Sequence, residues 1–113
     1  VEMHPLLQQE ELVEKCREHG ITLVAYSPLA RGKVFEIEEL NEIAEKHGVS
    51  EAQVSLTWLM QKENVVAIPK ATGEDHIRDN FEALDLELDE EDVEKIKSID
   101  REERFVDPDF APW

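Results

Sequence analysis

The stretch Ile21 to Gly32, ITLVAYSPLARG, constrains the fold more than any other part of the chain. Ile21, Leu23, Val24, Ala25 and Tyr26 are nearly all apolar and do not alternate with polar residues. That pattern predicts a short parallel strand covered on both faces. Pro28 lacks a backbone N–H and cannot continue a ladder, so the strand stops before it. Tyr26 and Ser27 are thereby placed at the C-terminal end of the strand. In parallel α/β folds that end is where ligands bind.

The remaining segments alternate between strand and helix. Val1 to His4, followed by Pro5, reads as the tail of a strand. Gln9 to His19 is predicted helical, with Leu12, Val13 and Cys16 on one side and Gly20 as the stop. After the Tyr26 strand comes a loop, Leu29 to Val34, containing Arg31, Gly32 and Lys33. Glu36 to His47 is the next helix, with Ile37, Leu40, Ile43 and Ala44 on one face and Gly48 at its end. Ser50 opens another, at capping-box spacing from Gln53, with a broad apolar side from Val54 to Met60. Val65 to Ile68 is a second clear strand, ended by Pro69. Glu74 to Leu84 follows as a helix with Ile77, Phe81 and Leu84 at helical spacing, and Asp89 caps a last helix, Glu90 to Ile99. From Asp100 onward the chain is loop-like. This order implies βα units and a parallel sheet.

With 113 residues the chain is one small domain. A complete (β/α)8 barrel takes roughly 200 residues or more, so the expectation is a piece of a longer polypeptide or a truncated product. The 28 acidic and 12 basic residues leave a formal charge of -16, which disfavours nucleic acid and anionic membranes as partners. The acids lie on helices that keep apolar stripes, so an acidic solvated surface is expected, and adaptation to high salt is one cause of it. Cys16 is the sole cysteine, which excludes an internal disulfide and makes a reducing cytoplasm the default compartment. The four histidines lack metal-ligand spacing. His19 and His47 each precede a glycine and read as helix C-terminal caps, and His4 reads as structural.

The motif V-A-Y-S-P-L-A-R-G, with V-E-M-H-P upstream, I-P-K-A-T downstream and D-P-D-F-A-P-W at the end, resembles the aldo-keto reductase family. The resemblance runs over essentially the whole chain. It covers only the C-terminal part of that family's barrel, strands six to eight with the C-terminal extension. The implied fold is α/β: the C-terminal portion of a (β/α)8 TIM barrel, about three parallel strands with covering helices, plus an extra C-terminal helix and tail. Residues 1–113 would form one partial domain.

The same resemblance assigns roles. Tyr26 would stack on the nicotinamide ring of NADP, with NAD as the alternative cofactor. Spacing alone makes it a core tyrosine at a strand terminus. Ser27, Leu29, Arg31 and Gly32 would form the loop covering the pyrophosphate. For Arg31, as for Lys33, the alternative is a solvated loop cation. Lys70, with Ala71 and Thr72 beside it, would hold the phosphate on the adenosine side, helped by the next helix N-terminus. His76 stands where many NADP-specific members carry arginine, which puts strict NADP preference in doubt. Asp79 and Asn80 match positions placed near adenine. Phe110 and Trp113 would shape the substrate pocket, or merely anchor the terminus.

The proton-donor tyrosine of that family, and the lysine, aspartate and histidine that help it, have no counterpart here. The resemblance therefore implies the dinucleotide-holding part of an enzyme that moves a hydride between NAD(P)H and an aldehyde or ketone. Its partners would be a small carbonyl substrate and the missing N-terminal barrel half, in cis or in trans. The rival reading is a non-catalytic remnant or partner module, whose open sheet edges would invite association.

Overall fold

The computed structural model describes residues 1–110. Its sheet is a parallel pair, β1 (Leu23–Ala25) and β2 (Val65–Ala67), in the register Leu23↔Val65, Val24↔Val66 and Ala25↔Ala67. The opening segment joins the other edge of β1 by a single parallel bridge, Glu2↔Tyr26. There the Tyr26 N–H donates to Val1 O at 2.8 Å and the Met3 N–H to Tyr26 O at 3.1 Å. The third strand expected from the sequence is thus reduced to one bridge. Pro5 removes a donor, and a tight turn closes from His4 to Leu7 through two backbone bonds of 3.2 and 2.8 Å.

The double covering expected for β1 is also corrected. Leu23 and Ala25 are buried, but Val24 is 46% exposed, and its neighbour Val66 on β2 is 49% exposed. Side chains alternate across a strand, and the described residues place helices against one face of the pair only.

The helices are α1 (Glu10–Glu18), α2 (Glu38–His47), α3 (Glu51–Met60), α4 (Glu74–Glu82) and α5 (Glu90–Lys97), with 3₁₀ segments at Ala30–Glu36 and Ala83–Asp85. α3 is the centre, packing against α2, β2, α4 and both 3₁₀ segments. Every residue from Ala52 to Leu59 is buried, as befits a helix with no polar face. Ser50 caps it, its Oγ accepting from the Gln53 N–H at 3.1 Å. The return half of the expected capping box is missing, because the Gln53 amide reaches across to Asp79 instead. Met3, Val34, Leu40, Val54, Leu59 and Ile96 fill the core.

α2 ends at Gly48, in the left-handed conformation that suits glycine. α5 begins with a complete capping box between Asp89 and Asp92. The two helices meet through Lys46 and His47, which contact those same two aspartates. His47 is therefore a tertiary hydrogen-bond partner as well as a terminal residue. His19 stays local, its Nδ1 2.9 Å from Lys15 O.

The largest departure is on α4. Ile77, Phe81 and Leu84, the apolar residues at helical spacing, are 55%, 69% and 62% exposed. Their helical spacing is as predicted, but among the described residues no element covers that side. No helix among the described residues is long and apolar enough to cross a membrane.

Candidate functional site

Because β1 and β2 run parallel, their C-terminal ends share one edge of the sheet. The Ile68 N–H donates to Ala25 O at 3.1 Å, carrying the pairing to the brink of Pro69. Ser27 and Lys70 therefore leave the sheet at the same end. Pro28 and Pro69 terminate both strands for the reason seen in the sequence: neither can donate to a ladder.

The loop after Tyr26 holds an unusual backbone. Ser27, Ala30 and Arg31 have φ of 51°, 51° and 53°, and Gly32 has φ 90°. Only glycine adopts such angles freely. Non-glycine residues there carry strain, which persists when the surroundings over-determine it. The restraints are visible. The Ala30 N–H donates to Ser27 O and the Gly32 N–H to Leu29 O, each at 2.9 Å. Ser55, buried on α3, donates its hydroxyl to Pro28 O at 2.7 Å. The expected irregular loop is two 3₁₀ turns kinked at Arg31 and Gly32.

Beside this loop lies a cavity of about 310 Å³. It gathers Leu29, Lys70, Ala71, Thr72, His76, Asp79 and Asn80 from three separate segments. Tyr26, Ser27, Arg31 and Gly32 lie outside its lining. Phe35 and Ala52 also line it, and neither was singled out in the sequence. Phe35 belongs to the 3₁₀ segment and stays exposed, an apolar side chain beside a kinked loop, which is the one signal that could have marked it. Ala52 carries no such signal.

Asp79 plays a second part. Its two oxygens accept from Ser50 Oγ at 2.6 Å and Gln53 Nε2 at 2.8 Å, so it pins α4 to the start of α3. Asn80, the next residue, is held at the cavity as a consequence. Arg78 is engaged elsewhere, with Glu74 at 3.0 Å. Among the described residues neither Arg31 nor Lys70 makes an ion pair, although the chain carries 28 acids. An unpaired cation at a strand end suits an anionic ligand. No group of three or more His, Cys, Asp or Glu that could hold a metal occurs among the described residues.

Phe110 is 91% exposed and touches none of these linings. Trp113 lies outside the described residues. His4 is wholly buried, as its structural reading requires. Burial pushes its imidazole below the ordinary value, against the opposing pull of Glu2.

A family model described as the aldo/keto reductase family matches residues 1–101. Glyoxal reductase of Bacillus subtilis (strain 168) is 46% identical over 104 residues, covering 92% of this chain and 37% of its own length. Among solved structures, an aldo-keto reductase enzyme from a Medee basin deep-sea metagenome library superposes with a TM-score of 0.89 at 34% identity, covering 95% of this chain and 40% of that one. A mutant of Gox0644 in complex with NADPH gives a TM-score of 0.88 at 32% identity, covering 100% and 42%. The chain thus spans about two fifths of the length of the proteins it matches. On the match over residues 1–101, the chain belongs to the aldo/keto reductase family of oxidoreductases.

Proposed function

We propose that this chain is the dinucleotide-holding part of a reductase that moves a hydride between NAD(P)H and an aldehyde or ketone, and that it carries no catalytic tetrad of its own. When bound, the reduced nicotinamide supplies a hydride to the carbonyl carbon, and a proton from outside this chain goes to the oxygen. Tyr26 offers a flat face at the strand end for the nicotinamide. The Ser27 to Gly32 loop would cover the pyrophosphate. Lys70 and Thr72, with the start of α4, receive the phosphate on the adenosine side. His76 and Asn80 would meet the adenine, and His76 in place of arginine would leave NADH acceptable. A reducing cytoplasm fits the single cysteine.

The observation that carries this reading is the cavity that brings Lys70, Thr72, His76 and Asn80 together, with Lys70 in no ion pair among the described residues. NADPH titration by fluorescence tests it. Lys70→Ala should weaken binding by about tenfold, the loss of one charge-assisted contact to phosphate. Equal affinity of variant and wild type would sink the assignment.

A second reading rests on the open surfaces. An apolar groove of about 380 Å³, lined by Leu56, Met60, Ala67, Ile77, Phe81 and Leu84, lies beside the exposed α4 stripe. Such a surface marks an association site. In this reading the chain pairs with the rest of a barrel, in cis or in trans.

A further inference from the structure

Glu2 is wholly buried and carries a carboxylate. Such a group is costly unless N–H donors surround it. Both its oxygens face the tail. The Phe105 N–H donates to Oε1 at 2.6 Å and Oε2 at 3.0 Å, and the Val106 N–H to the same atoms at 3.0 and 3.3 Å. His4 completes the enclosure. Its Nδ1 accepts from the Leu6 N–H at 3.2 Å, which assigns the ring proton to Nε2, and that atom lies 3.6 Å from Glu2 Oε1. The Phe105 ring packs on His4 with centroids 5.4 Å apart.

The backbone of Glu2 is committed elsewhere: it is the residue bridged to Tyr26. One residue is therefore tied through its main chain to the strand end and through its side chain to the tail, more than a hundred positions away. Four residues beyond Val106, Phe110 is almost fully exposed.

We propose that Glu2 is a positioning residue that clamps the tail at Phe105 and Val106 to the strand end carrying Tyr26, and so sets which carbonyl compounds residues 107–110 admit. This rests on the reading of Tyr26 as the nicotinamide shelf. The side chain does no chemistry. It fixes where the tail departs, and the reach of the residues beyond follows from that point.

Two variants test it. Glu2→Gln keeps the shape but presents an NH₂ group to donors that need an acceptor. Val106→Pro removes one of the clamped N–H groups and leaves the buried pair intact. In Glu2→Gln, amide exchange at Phe105 and Val106 should accelerate about tenfold, with α2 and α3 unchanged. In the enzyme of which this chain is part, both variants should change the ratio of KM for 4-nitrobenzaldehyde to KM for methylglyoxal about fivefold, while KM for NADPH holds. Unchanged exchange in Glu2→Gln overturns the clamp. Faster exchange with an unchanged KM ratio in both variants overturns the positioning role. Failure of the wild type to bind NADPH would overturn the dinucleotide reading instead, and the exchange measurement, which needs no nucleotide, would still decide the clamp.

Discussion

His47 Nε2 lies 2.7 Å from Oδ2 of Asp92, a carboxylate almost wholly buried between α2 and α5. Lys46 reaches Asp92 Oδ1 at 3.0 Å and Asp89 Oδ2 at 2.8 Å. The last turn of one helix thus supplies the Lys46 cation and an imidazole to the first turn of another, where each helix dipole favours its own partner.

Acid unfolding should report this cluster. Lys46 foremost, then the Asp92 amide, holds the Asp89 carboxyl down at about 2. Burial pushes Asp92 up, but hydrogen bonds from His47 and Lys46 outweigh it and leave it below the ordinary value. Both carboxyls are depressed in the folded state, so their contribution is present above the unfolded value near 3.9 and is lost as pH falls through the folded values. Lys46 is raised by the same partners, so its contribution is lost only at strongly alkaline pH. Asp92→Asn should cost on the order of 2 kcal/mol at pH 7. The gap to wild type should close between about pH 4 and pH 2, read by urea unfolding across pH. A gap independent of pH in that window would refute the account.

The kinked loop gives a sharper contrast. A Cβ on Gly32 would meet nothing within 4 Å, so Gly32→Ala carries only the backbone cost of φ 90°. We expect about 1 kcal/mol of destabilisation from it. Arg31→Gly, at φ 53°, should not destabilise, because relief of strain offsets the greater freedom of the unfolded chain. Denaturant midpoints of the two variants decide the matter, and a loss of stability in Arg31→Gly would count against the strain.

The exposed stripe on α4 predicts association. The wild-type chain should sediment above its 13.1 kDa at micromolar concentration. Phe81→Lys combined with Leu84→Glu should shift it toward the monomer. A wild-type chain that is a compact monomer with sharp, cooperative unfolding would rule this out.

How much of this was legible beforehand divides by the range of the interactions. Ser50, Gly48, Asp89, Pro28 and Pro69 mark element boundaries through bonds to their immediate neighbours, and those boundaries hold within a few residues. The convergence of Leu29, Lys70, Thr72, His76 and Asn80 was reachable only because the motifs resembled a family. The hold of Asp79 on Ser50 and Gln53 was not, since a carboxylate on an outward helix position gives no sign of the partner it will find.

By itself the amino-acid sequence determined the order of strands and helices, their caps and stops, and the shared edge from which Ser27 and Lys70 emerge. Those depend on backbone donors and on side-chain period, which act within a few residues. Only the tertiary structure decided that Glu2 holds Phe105 and Val106, that His47 meets Asp92, and that Val24, Val66 and the α4 stripe stay open. An apolar period states that a face seeks cover. Whether cover arrives, and which distant carboxylate finds which amide, is settled by how the elements pack.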